Sequence, residues 1–390
     1  MNTIDLFSGC GGMSLGFMQS GFHILCAYDN WKPAITCYEK NFDHSIKPAD
    51  LSDTTAIINE LRPFRIDAII GGPPCQDFSH AGNRTEGKRA DLTESFAIIV
   101  ENIKPTWFVM ENVDRIINSK AYAKARDRFH RSGYGLTEIV LDASYCDVPQ
   151  IRKRFFCIGK QNEVDGFLNG TLNSRLANQR MTVKNYLGNR IDIQYYYRHP
   201  RNYNRRAIFS VDEPSPTIRG VNRPVPQGYN GHTNDPVQIN PSIRPLNTIE
   251  RSWIQTFPVS FVFPGTKTET EQLIGNAVPV NLAKYVADSI ILFVQESINE
   301  TYGIIKNEFI EWLIQNKFLK QRSARDVFSR LKRAALLVEI DTALETEDLM
   351  FRLSKQKGFK DLSGYLKSQI KRSIKLFIEF KELRQNKLSA

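Results

Sequence analysis

Cysteine is scarce in this 390-residue chain and poorly placed for cross-linking. Cys10, Cys26, Cys37, Cys75, Cys146 and Cys157 form no CxxC pair, and none lies beyond position 157. A disulfide scaffold and a zinc–thiolate cluster are thereby excluded, no metal is expected, and reduced cytosolic thiols are the default. No apolar run approaches the ~20 residues that a membrane span needs. The start, Met1-Asn2-Thr3-Ile4-Asp5, has neither a basic stretch nor a small-residue cleavage site, so no secretory leader is expected. Disorder is also excluded, because 41% of residues are hydrophobic and 24 are Phe. The expectation is a soluble, cytoplasmic protein with no membrane partner, long enough for two or three domains at ~100–200 residues each.

Proline is missing from residues 311–390, where Gly358 and Gly364 are the only glycines. Apolar residues there recur at helical spacing, as in Leu331, Ala335, Val338 and Ile370, Ile374, Phe377, and predict an appended all-α module. The net charge of +10 favours a polyanionic partner. Residues 311–390 hold 18 Lys and Arg against 10 Asp and Glu, leaving 34 against 32 in the rest. The body must therefore meet any nucleic acid through a local patch. Residues 195–206 interleave four Tyr with Arg198, Arg201, Arg205 and Arg206 and contain no acid. Guanidinium groups can hold phosphates or guanine edges, and phenols can stack.

The first 160 residues alternate short apolar runs with helical stretches. Thr3–Phe7, Ile24–Tyr28, Asp67–Ile70, Trp107–Met110 and Phe155–Gly159 read as strands. Met13–Gln19, Pro33–Asn41, Leu92–Asn102 and Lys120–Arg131 read as helices. This predicts an α/β fold, a doubly wound, mostly parallel Rossmann-like sheet, with ligands beyond the C-terminal strand ends. From about Asn162 to Pro241, Pro, Gly, Asn and Arg dominate, which reads as a smaller, loop-rich domain. An amphipathic helix is expected from Val280 to about Ile298.

Residues with chemical potential follow the predicted strands. Phe7-Ser8-Gly9-Cys10-Gly11-Gly12 makes a glycine-rich first turn that lets backbone approach a nucleotide-like ligand. Asp29 follows the second strand, where a carboxylate can hold a ribose diol, and Asp50 is placed to accept from an exocyclic amine. Gly71-Gly72-Pro73-Pro74-Cys75-Gln76 puts a thiol behind a rigid prolyl pair in the ligand crevice, a position for a nucleophile. A carboxylate beside a thiol disfavours the thiolate, so Glu111 in Glu111-Asn112-Val113 is assigned to the substrate. Gln150, Arg152 and Arg154 alternate onto one face, where the arginines can bond an electron-rich ring or a phosphate.

Together with Gly275-Asn276-Ala277-Val278-Pro279, these ordered blocks resemble the DNA cytosine carbon-5 methyltransferase family of bacterial restriction–modification systems over residues 1 to about 300. The resemblance implies a catalytic and cofactor-binding domain at 1–165, a target recognition domain at 166–260, a return to the catalytic domain at 261–300, and a basic helical extension at 301–390. It implies that Cys75 attacks carbon 6 of a flipped-out cytosine while Glu111 bonds ring nitrogen 3 and the exocyclic amine. Arg152 would reach the cytosine carbonyl oxygen, and Arg154 would be structural or bind phosphate.

S-adenosylmethionine, with product S-adenosylhomocysteine, would lie against Phe7, Ser8, Gly9, Gly11, Gly12, Asp29, Asp50, Leu51, Pro73, Asn276 and Val278. Double-stranded DNA would meet Gln76, Ser79, Arg198, Arg201, Arg205, Arg206, Thr217 and Arg219. Residues 201–220 resemble recognition domains for GC-core palindromes such as RGCGCY. A restriction endonuclease would be a system partner rather than a stable complex, and the enzyme would be a monomer. The competing readings are an RNA (tRNA) cytosine-5 methyltransferase and a catalytically silent DNA-binding protein of the same fold.

Overall fold

The computed structural model describes residues 1–74, 91–202, 204–338, 340 and 346–388. Two compact units result, residues 2–289 and residues 290–390.

In the first unit, β1 (Asn2–Leu6), α1 (Gly12–Gln19), β2 (His23–Asp29), α2 (Lys32–Asn41), β3 (Ile46–Pro48), α3 (Thr54–Leu61) and β4 (Ala68–Gly71) make the first half of the winding. The second half is α4 (Asp91–Ile103), β5 (Trp107–Val113), α5 (Lys120–Arg131), β6 (Tyr134–Asp142), the short β7 (Gln150–Ile151) and β8 (Lys153–Gln161). The seven-stranded sheet has the order β3-β2-β1-β4-β5-β8-β6. Its strands run parallel except β8, which is antiparallel to both neighbours. The doubly wound sheet is as expected. β3, α3 and β6 are elements that periodicity did not reveal; β3 is only three residues long and lies at the sheet edge.

Every residue of β1 is buried, because helices cover both faces of a central parallel strand. Phe108 on β5 stacks on Phe129 of α5 with centroids 4.1 Å apart and meets Phe96 of α4 edge-on. The winding direction reverses between β1 and β4, which opens a crevice at the C-terminal ends of those strands.

The loop-rich segment adds α6 (Asn169–Ser174), α7 (Val183–Leu187), an antiparallel pair β9 (Tyr195–Tyr197) and β10 (Ile208–Ser210), and β11 (Ser215–Pro216). β11 pairs in parallel with β7 as a separate two-stranded sheet, which ties this segment to the chain just before β8. Tyr196 and Tyr197 are each 1% exposed. Two of the four phenols expected to face a partner are therefore core residues.

α8 (Thr248–Ile254) and α9 (Lys267–Asn276) each begin with a capping box, from Asn247 with Glu250 and from Thr266 with Glu269. α10 runs from Val280 to Lys317, well past the expected end near Ile298. Gly303 lies within it, at a tolerable cost of about 1 kcal/mol relative to Ala. The stretch Lys267–Asn299 passes a length-and-hydropathy test for a membrane span, but 61% of its apolar window is buried, as in a core helix.

The second unit continues with α11 (Gln321–Ala335), α12 (Thr346–Lys355), α13 (Lys357–Lys360) and α14 (Gly364–Leu388). Its own core includes Phe309, Leu313, Leu331, Leu353, Ile370 and Ile374. The all-helical module is as expected.

Phe108 is fully buried. Phe108→Ala is expected to lose about 3–5 kcal/mol of stability, measured by urea unfolding; a loss below 1 kcal/mol would mean the aromatic layer does not organise this core.

Candidate active site

The turn after β1 is built for close approach. Phe7, Gly9 and Gly11 all have positive φ, at 58°, 54° and 89°. A side chain on Gly11 would strike the Phe42 ring at 2.4 Å, and one on Gly12 would strike the Val278 carbonyl at 2.3 Å. The closing segment near Val278 thus packs directly on the start of α1. Nothing lies within 4 Å of the side-chain position at Gly9, so the turn opens to free space there. The Ser8 hydroxyl is buried and has no hydrogen-bond partner among the described residues.

Asp29 accepts from the Gly9 and Trp31 amides, both at 2.8 Å, and burial raises its pKa. Asp50 is exposed and accepts from the Ser52 amide and hydroxyl, which hold its pKa below the usual value. Leu51 beside it is buried. Asn276 is exposed, and Val278 is 9% exposed. An opening at Gly9, an orphaned hydroxyl, two carboxylates after successive strands and apolar Leu51 and Phe7 suit a ligand with a diol, an amine and a ring.

At the end of β4, Gly72 leaves room for a carboxylate: a side chain there would lie 3.2 Å from Glu111 Oε2. Glu111 ends up beside this turn because β5 pairs with β4 in register from Ala68–Trp107 to Gly71–Met110. Asn112 Nδ2 donates to the Pro73 carbonyl at 2.8 Å, tying the prolyl turn to β5. Arg154 Nε lies 3.0 Å from Glu111 Oε1. Burial raises the Glu111 pKa, opposed by the positive fields of Arg154 and then Arg152. Cys75, Gln76 and Ser79 lie outside the described residues.

Arg152 is 2% exposed, and its guanidinium donates to the carbonyls of Ile218 (3.1 Å), Gly275 (3.0 Å) and Ala277 (3.0 Å). Gln150 receives the Ile218 amide at 2.8 Å and donates to Gln255 Oε1 at 2.7 Å. Gln255 in turn donates to the Ile274 and Ala277 carbonyls. This buried polar knot joins β7, the loop-rich segment at Ile218, the end of α8 and the segment around Ala277.

The expected DNA-facing arginines divide by environment. Arg206 forms a two-pronged pair with Glu213. Arg198 donates to the Thr217 carbonyl at 2.7 Å, and burial, reinforced by Arg219, pulls its pKa down to about 9. Arg219 donates to the His199 carbonyl, and the Thr217 hydroxyl donates to Ile151. Arg201 and Arg205 are exposed and have no carboxylate partner among the described residues. Arg198, Arg201, Arg205, Phe209 and Thr217 help to line a cleft of about 730 Å³.

Residues 1–292 match the family model for C-5 cytosine-specific DNA methylases. The chain belongs to this family. It is 57% identical over 300 residues to the Type II methyltransferase M.HindV of Haemophilus influenzae, covering 76% of this chain and 99% of that protein. With M.HgiDI of Herpetosiphon aurantiacus it shares 53% over 310 residues, 79% of this chain and all of that protein. The fold is similar to that of S. pombe Dnmt2 methyltransferase, with TM-score 0.57 and 19% identity, over 76% of this chain and 99% of that one. Both relatives are matched over essentially their full length, and the family match ends at residue 292.

Within this methylase the two arginines have different protein partners. Arg152 is turned inward to three backbone carbonyls, and Arg154 is the one that reaches the carboxylate of Glu111. The cause is a break in the strand: Arg152 lies between the end of β7 and the start of β8, so it does not share a face with Arg154, and the loop-rich and closing segments supply the carbonyls that hold it.

Sequence reading also missed Asp5. Its carboxylate is fully buried under the glycine turn and accepts from Ser14 at 2.5 Å; Tyr38 donates to Ser14 at 2.6 Å and contacts His44 at 2.7 Å. An acid inside an apolar strand, three turns of pattern before any partner, gave no signal of this chain of contacts. Burial, with the Ser14 bond opposing it and Asp29 adding to it, pushes the Asp5 pKa up to about 7.

A raised acid favours folding below its unfolded pKa and loses that contribution as pH rises to its folded value. The methylase should therefore lose stability between about pH 4 and pH 7, by at most about 4 kcal/mol. Asp5→Asn should flatten that decline and overtake the parent above pH 7, measured by urea unfolding across pH. Parallel pH profiles for the two proteins would refute the assignment.

Proposed function

We propose that this methylase transfers a methyl group from S-adenosylmethionine to carbon 5 of a cytosine flipped out of duplex DNA, as the protective half of a restriction–modification pair. The observation that carries the reading is the pairing of Glu111 with Arg154 on the strand-end rim, one residue from the Asn112–Pro73 tie that leads to Cys75.

The residues around the glycine turn fit the methyl donor. Asp29 would hold the ribose hydroxyls, Asp50 the adenine amine, Phe7 and Leu51 the ring, and the Ser8–Gly12 backbone with Val278 the methionine portion. When bound, S-adenosylmethionine supplies an electrophilic methyl on a sulfonium.

Flipping is required because the ring carbons are unreachable inside the base stack. The Cys75 thiolate adds to carbon 6, forming a carbon–sulfur bond. Glu111, oriented by Arg154, bonds ring nitrogen 3 and accepts from the exocyclic amine, so the electron pair released into the ring is stabilised. Arg154 orients that carboxyl and, being beside it, would meet the cytosine carbonyl oxygen. After methylation of carbon 5, a base removes its proton and the pair expels Cys75, restoring the aromatic ring. Arg201 and Arg205 would meet phosphates or guanine edges of the target, with segment 166–260 as the recognition domain.

Incubation with tritium-labelled S-adenosylmethionine and mixed-sequence duplex DNA, followed by bisulfite sequencing, should place 5-methylcytosine at one short motif. Cys75→Ser should abolish transfer, and Glu111→Gln should lower the rate at least about 100-fold, within the range ascribed to acid–base and electrostatic groups. Transfer to RNA alone would overturn the DNA reading, and tight DNA binding with no transfer would overturn the catalytic one.

A further inference from the structure

Among the described residues, much of the positive charge of the second unit has no ion-pair partner. Residues 320–338 hold six Lys and Arg with Asp326 as the single acid, and residues 355–378 hold seven with Asp361 as the single acid. These two stretches come together. Arg330 of α11 lies 3.4 Å from Gln369 of α14, and a side chain on Gly358 of α13 would meet Leu337, just past α11, at 2.9 Å. Lys367 of α14 donates to the Lys360 carbonyl at 2.6 Å, and Lys371 sits 5.9 Å from the Phe359 ring. Lys367, Lys371 and Lys375 follow at four-residue spacing along one face of α14.

The ion pairs of this unit lie elsewhere, at Lys317–Glu379, Arg352–Asp348 and Arg384–Glu308. Among the described residues, none of Arg330, Arg333, Lys357, Lys360, Lys367 and Lys371 has a carboxylate within ion-pair distance. Concentrating like charges costs folding free energy unless a polyanion meets them.

We propose that this basic face of α11, α13 and α14 binds the phosphate backbone of duplex DNA without sequence preference, adding affinity to a methylase whose recognition segment reads the target. The occupant follows from charge complementarity and from the reading of the chain as a DNA methyltransferase, on which the inference rests. A duplex presents one negative charge per ~1.7 Å of axis, so a row of cations meets phosphates in any register.

The test uses the full-length protein carrying Arg333→Ala, Lys357→Ala, Lys360→Ala and Lys371→Ala together, all exposed positions. Affinity for a duplex lacking the methylated motif is measured against salt concentration. Each phosphate contact contributes about 0.9 to the slope of log affinity against log salt, so the variant's slope should be shallower by about 3–4 and its affinity at least about tenfold weaker. Its melting temperature and its methyl-transfer rate at saturating DNA should match the parent's. An unchanged slope and affinity would overturn the proposal, as would loss of binding to anionic vesicles with DNA binding intact. If the parent methylates no DNA while the variant still shows the shallower slope, the catalytic reading fails and the basic face stands.

Discussion

The buried knot of Gln150, Arg152 and Gln255 is the constraint on which the rest of the catalytic unit depends. One guanidinium and two amides hold five backbone groups drawn from two distant parts of the chain, at Ile218 and at Ile274–Ala277. A fully buried cation is costly unless its donors are met. Here the carbonyls meet them, and the geometry is specific enough to set where the loop-rich segment and the segment around Ala277 lie. The Val278 carbonyl reaches the glycine turn only because Ala277 is already held.

The strand-end rim that carries Glu111 and Arg154 then follows from strand register. Pairing of β4 with β5 brings Glu111 beside Gly72, and the antiparallel β8 brings Arg154 opposite Val113, close enough to pair with Glu111. The carboxyl sits between two opposing influences, burial raising its pKa and arginine fields lowering it.

Much of this was legible beforehand. The five strands and four helices read from apolar runs are present with small shifts at their ends, because central parallel strands are nearly all apolar. The glycine turn, Asp29, Glu111 and the arginine pair were found because strand-end motifs stay contiguous in sequence. What was not legible depends on partners far away. Asp5 and Ser14 look like ordinary polar interruptions until Tyr38 is brought over them. Tyr196 and Tyr197 look available for stacking until β10 and Tyr229 cover them. Arg206 looks free until Glu213 folds back on it.

The sequence by itself determined the fold class, the family and the residue types at each strand end, since these rest on local periodicity and on short contiguous motifs. Tertiary structure alone decided which arginine faces the carboxylate and which supports the fold, which tyrosines are core, and where the helical tail gathers its charge. Those outcomes turn on burial and on contacts between residues that are separate in sequence, 66 and 123 positions apart for two of the Arg152 hydrogen bonds. A one-residue change in strand phase exchanges inside for outside without altering the motif.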